Sequence, residues 1–146
     1  MPISLLTPDT PLVLDLDAVT EEAAILELAG HLKGHPDIRD LGAFTVAVLE
    51  RQKINPPLLG SGIALPHART GEVREVVFAV ARTRGPVPFG EGKCPVRLIF
   101  LYGIPPHRVA EHLATTAALA RKLRDPKVVT ALLDAPDEET FRKVLN

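Results

Sequence analysis

Apolar and polar positions alternate along PLVLDLD (Pro11 to Asp17), which predicts a strand with Leu12, Leu14 and Leu16 on one face. The period then changes. Ile25, Leu28, Ala29 and Leu32 recur at helical spacing behind Thr20, Glu21 and Glu22, so residues 21–33 read as an amphipathic helix. Thr20 is its N-cap, acids fill its first turn, and Gly34 ends it. A second helix fits Asp40 to Gln52, with Leu41, Phe44, Val48 and Leu49 on its buried side. From Lys53 to Thr70 prolines and glycines break the period, predicting an ordered loop with a short apolar strand at Ile63 to Leu65. Val76 to Ala81 and Val96 to Tyr102 are near-continuous apolar runs, the pattern of strands buried on two faces. Arg84 to Pro95 between them reads as a turn-rich linker. The last third is helical. Val109, Leu113, Thr116, Ala117, Ala120 and Leu123 form one stripe, Asp125-Pro126 opens a helix through Leu133, and Pro136 starts a last one burying Phe141, Val144 and Leu145. Helices before, between and after the strands predict one α/β domain over residues 1–146, with a central mixed sheet of about five strands and helices on both faces.

Composition narrows what such a domain does. Its 146 residues are 46% hydrophobic and 24% charged, enough apolar material for one good core. The net charge of −1 and the lack of a Lys/Arg run argue against nucleic acid and anionic membranes as partners. An aromatic fraction of 4% leaves little to stack bases on. The first basic residue is Lys33, so no positive n-region of a signal peptide precedes the opening apolar stretch. No apolar run approaches the roughly 20 residues of a membrane span. Cys94 is the only cysteine. Together these features predict a cytoplasmic protein with no direct membrane insertion.

Several chemistries fall away on inspection. Gly60-Ser61-Gly62 lacks the lysine of a phosphate-binding P-loop, and Ser61 is not framed as a nucleophile elbow. One cysteine and no H-E-x-x-H leave no familiar zinc pattern. The histidines remain. His31 and His35 flank a charged helix end and read as solvated, and His107 after Pro105-Pro106 reads as a surface residue. His67 differs: it follows a Gly-x-Gly turn and a short strand, sits directly after Pro66, and has Arg69 two residues on. Proline restrains the backbone that aims the imidazole, and glycines let main-chain amides approach an anion. An imidazole is about three-quarters neutral and nucleophilic at pH 7. Phosphoryl transfer chiefly needs positioning and positive potential, which arginine supplies in paired bonds. On these residues alone His67 is either such a nucleophile or a structural loop histidine. A metal site from His67 and His112, with His107 near, is a third possibility that lacks a carboxylate at ligand spacing.

GSGIALPHAR (Gly60 to Arg69) closely resembles the active-site signature of type-2 EIIA domains of the phosphoenolpyruvate–sugar phosphotransferase system, the fructose, mannitol and nitrogen-regulatory IIA group. Leu49-Glu50-Arg51 is similar to the family's L-x-R or E-R step, and Val96 to Pro105 to the strand and loop before its second histidine helix. Glu111-His112-Leu113 resembles that helix. The resemblance spans nearly the whole chain. It implies that His67 accepts a phosphoryl group, on its ε nitrogen, from HPr or its nitrogen-branch counterpart. His112 would stand beside it and Arg51 would supply charge, with Arg69 a secondary candidate. An EIIB cysteine or a regulated protein would be the next partner, and no metal or organic cofactor is implied. Cys94 lacks a phosphate loop, so it is expected to be a strand-edge packing residue and no B domain is expected here. A chain with no fused segment favours a stand-alone nitrogen-regulatory IIA protein over the EIIA component of a fructose/mannitol-type transporter. The sequence departs from the family at Pro56-Pro57-Leu58, where Ser-Thr-Gly is common. A docking rim is expected from Leu58, Leu59, Ile63, Pro105 and Pro106.

Overall fold

The chain, a computed structural model, is described over residues 6–54, 56–60 and 62–146. Residues 1–5 of the expected domain, and Ser61 of the glycine turn, lie outside that range. The elements are β1 (Leu12–Leu16), α1 (Glu21–Gly30), α2 (Leu41–Ile54), β2 (Leu58–Leu59), β3 (Ile63–Ala64), β4 (His67–Arg69), β5 (Val77–Phe89), β6 (Cys94–Ile104), α3 (Val109–Leu123), α4 (Pro126–Asp134) and α5 (Glu138–Leu145). Side chains at the helix starts satisfy amides that the helices leave free. Thr20 accepts from Ala23 N–H at 3.2 Å, Asp40 from Ala43 at 3.0 Å, Asp125 from Lys127 at 2.9 Å and Asp137 from Thr140 at 2.8 Å. Leu32 is buried as the period predicts, but α1 stops at Gly30. Beyond it the N–H groups of Leu32 and Lys33 donate to Ala29 and Gly30, three residues back, in tighter turns.

The sheet is mixed and runs β1-β5-β6-β3-β2, with β4 paired to β6 beyond β3. β1 is parallel to β5, and β3 and β4 are parallel to β6; β5 and β6 are antiparallel, as are β2 and β3. Successive residues of β6 enter opposite cores. Ile99 and Leu101 join α1 and α2 on one face, while Leu98, Phe100 and Tyr102 join the α3, α4 and α5 side on the other. Helices therefore cover both faces, as the sequence predicts. No helix among the described residues is long and apolar enough to cross a membrane.

Two local expectations are corrected. Arg84 to Pro95 is no linker: β5 runs on to Phe89 and β6 starts at Cys94, closing a hairpin. β1 leaves β5 at Thr83, so beyond it, among the described residues, β5 has a free edge, where Pro86 and Pro88 remove no needed ladder bond. Nor do Leu12, Leu14 and Leu16 share a face. The pairing shifts between Val13 and Leu16, which sends Leu16 into the α1/α2 core while Leu12 and Leu14 pack opposite.

Candidate functional site

His67 opens β4 and pairs across the ladder with Tyr102 of β6. Pro66, just before it, accepts from the Tyr102 amide at 3.0 Å and so fixes the entry to the strand. Two rings at facing positions stack: the His67 and Tyr102 centroids lie 4.6 Å apart with planes 8° from parallel. His67 Nδ1 is 2.7 Å from the Leu65 carbonyl. A carbonyl only accepts, so Nδ1 carries the proton and Nε2 holds the free lone pair.

Because Ala68 faces the α1/α2 core, His67 and Arg69 face the α3 side. From α3, His112 meets His67 edge-on, with ring centroids 5.2 Å apart and an interplanar angle of 64°. The Tyr102 hydroxyl lies 2.8 Å from Thr116 Oγ1, one helical turn beyond His112. Tyr102 thus supports one imidazole from beneath and sets the rotation of the helix that carries the other. Arg51 sits in the last turn of α2, on the opposite layer, and its charge reaches both imidazoles and Tyr102. Arg69 acts on His112. The structure therefore brings His67, His112, Arg51 and Arg69 to one edge of the sheet. His31 and His107 are exposed, and His35 Nδ1 accepts from the Asp37 amide at 3.1 Å. Among the described residues no three His, Cys, Asp or Glu side chains converge to hold a metal ion.

Both site histidines titrate below their usual range. For His67 burial is the main cause, opposed by the Leu65 hydrogen bond and assisted by His112 and Arg51. For His112 the causes are burial, then Arg69 and Arg51. Burial also pushes the Tyr102 phenol up. The unfolded chain binds these protons first as pH falls through about 6.5, so the stability tied to the neutral rings is full above that value and lost below it. The expected result is a urea midpoint that drops between pH 7.5 and pH 5. A His67→Gln/His112→Gln double variant should flatten that dependence. NMR midpoints at or above 6.5 for both rings would contradict the assignment.

Gly62 of the glycine turn has a structural job that the sequence does not reveal. It has φ +78°, and a Cβ there would lie 2.8 Å from the Pro95 carbonyl oxygen. Its own carbonyl accepts from the amides of Arg97 and Leu98 at 2.9 and 3.3 Å. Gly62 thus lets β3 dock on β6, and this backbone approaches a strand of the same chain. Gly62→Ala should cost about 2–4 kcal/mol, roughly 6–14 °C in Tm, from backbone strain plus the clash with a main-chain oxygen. A thermal melt within about 2 °C of wild type would contradict this.

Other expectations also shift. His67 is a strand residue and not a loop residue, because β4 forms where only a loop is predicted. Ile63 and Pro105 are buried and cannot line a docking rim, whereas Leu58 and Pro106 are exposed. Val109 and Leu113, on the helix that carries His112, are 48% and 66% exposed and are the apolar surface that the prediction missed. Tyr102 was also missed. Its signal is slight: the only tyrosine of the chain, set in a largely apolar strand. Cys94 does open a strand, half-buried, as expected.

Residues 5–146 match the family described as "Phosphoenolpyruvate-dependent sugar phosphotransferase system, EIIA 2". The chain is 34% identical to the fructose-specific EIIA component of Haloferax volcanii over 98% of this chain and 94% of that one. It is 29% identical to a nitrogen regulatory protein of Bradyrhizobium diazoefficiens, covering 99% and 95%. A 32% match to the 2-O-alpha-mannosyl-D-glycerate-specific EIIABC component of Escherichia coli covers 94% of this chain and 22% of that protein. Among solved structures, nitrogen regulatory protein IIA-Ntr from Neisseria meningitidis superposes with a TM-score of 0.87 at 28% identity, covering 95% of each chain. IIA mannitol from Escherichia coli gives a TM-score of 0.79 at 25% identity, covering 97% and 99%. The chain belongs to the type-2 EIIA family, the phosphocarriers of the phosphoenolpyruvate-dependent phosphotransferase system.

Proposed function

We propose that His67 is the phosphoryl acceptor of this phosphocarrier, through Nε2, and that the donor is the phosphohistidine of an HPr-like protein. The observation that carries this is the Nδ1–H···O=C bond to Leu65, which leaves Nε2 as the nucleophilic nitrogen. Its lone pair forms the new N–P bond as the N–P bond of the donor breaks, and that electron pair returns to the donor imidazole. The phosphorylated His67 ring then carries positive charge, which the Leu65 carbonyl stabilises through the same hydrogen bond. Arg51 faces the charge on the equatorial oxygens. His112 adds a second donor. Its Nδ1 is buried without a partner, so a proton there would be orphaned and Nε2 is the nitrogen that carries it. A protein donor needs a face to dock on, and exposed Val109 and Leu113 beside His112 provide an apolar one.

The regulatory, nitrogen-type role is the preferred reading, supported by the TM-score of 0.87 with IIA-Ntr against 0.79 with IIA mannitol. The 34% identity to a fructose-specific EIIA component supports a transport role, with the phosphoryl group passed to an EIIB cysteine. A complex of IIA mannitol with phosphorylated IIB mannitol has been solved for Escherichia coli. One experiment tests the core proposal and sorts the roles. The chain is incubated with phosphoenolpyruvate, enzyme I and HPr, its intact mass is measured, and a fructose-type EIIB is then added. Gain of one phosphoryl group supports the acceptor assignment, and no gain overturns it. Discharge by EIIB marks transport, and retention marks regulation.

A further inference from the structure

A groove of about 860 Å³ lies away from the histidines, between the start of α1, the end of α2 and the β5–β6 turn. We propose that it binds an amphipathic organic ammonium ion, and that occupancy is felt at Arg51 through the helical turn they share. Its size is that of a small-molecule site. Val46 and Ile54 of α2 are 58% and 80% exposed and, with Leu49 and Phe89, give it an apolar wall. The rim is acidic. Glu22, Glu50 and Glu91 face a single cation, Lys53, which is already paired with Glu50 at 3.2 Å. Glu22 and Glu91 join none of the ion pairs among the described residues. The C-terminal pole of α2 opens on the same space and also favours a cation.

A second observation points to a hydrogen-bond donor. Gln52 is 6% exposed, and its Nε2 donates to Glu21 Oε2 at 2.8 Å. Glu21 Oε1 in turn accepts from the Gly90 amide at 2.8 Å. A carboxylate cannot donate, so the amide orientation is fixed and Gln52 Oε1 is left buried with no donor. Such an acceptor is costly to leave unmet, and a swing of the Gln52 side chain toward the groove it lines would let an ammonium N–H supply what it lacks. Gln52 adjoins Arg51, so an occupant that draws on Gln52 pulls on the turn holding the arginine.

Cys94 lines this groove and is the only cysteine, so its alkylation by iodoacetamide reports occupancy. With 2-phenylethylammonium as the probe, alkylation should slow several-fold and saturably, while 3-phenylpropanoate should not protect. A Glu22→Gln/Glu91→Gln double variant, altered only at the rim, should bind the amine about fivefold more weakly. The Arg51 Nε–H resonance should move along the same saturation curve. Failure to saturate, equal protection by the carboxylate, or unchanged affinity in the double variant overturns the site. A stationary Arg51 resonance under full protection overturns the coupling. Only the relevance of that coupling to phosphoryl transfer rests on the function proposed above; neither measurement uses phosphorylation, so the two ideas fail separately.

Discussion

His67→Ala is expected to gain no phosphoryl group from HPr under conditions that phosphorylate the wild-type chain fully. Only this imidazole combines a carbonyl-bound Nδ1–H with a ring stacked on Tyr102 and the charge of Arg51 acting on it. The variant should still fold. His67 is half-buried at a strand that pairs with β6 alone, and the stack it loses is worth about 1 kcal/mol. Intact mass reads the phosphoryl group and a thermal melt reads the fold. A folded variant that still gains one phosphoryl group would move the acceptor elsewhere.

Much of the fold follows from periodicity. The helices end within a few residues of where their caps and stripes place them, because those signals act locally. The apolar runs at 76–81 and 96–102 do lie in the middle of the sheet. What the sequence conceals is decided by neighbours. β4 forms because β6 offers an edge to His67, Ala68 and Arg69, and three residues carry no strand pattern of their own. The β5–β6 extension is hidden by its prolines, which are harmless only because β1 ends first. The site divides in the same way. His67 stands out through the glycine turn and Pro66. His112 and Arg51 lie on helices where a histidine and an arginine are ordinary, and only family resemblance singles them out. Tyr102 acts through register, which no single stretch of sequence displays.

Arg51→Ala should accept phosphoryl groups about 10²–10³-fold more slowly than wild type, a loss of about 2–4 kcal/mol in the transition state. Arg51 comes from the α2 layer, so its charge reaches the rings from a side no other basic residue covers in the same way: Arg69 bears on His112, whereas Arg51 bears on His67, His112 and Tyr102. A smaller effect is expected from Arg51→Lys, which keeps the charge but cannot present two parallel N–H groups to a phosphoryl group. That split separates charge from geometry. If lysine restores the full rate, point charge alone suffices; if it restores none, the guanidinium fork is the whole contribution. The alanine change also relieves His67 of one repulsive charge, so its imidazole should titrate higher than in wild type, visible by NMR. A rate equal to wild type, with the His67 titration unmoved, would reduce Arg51 to a neighbour of the site.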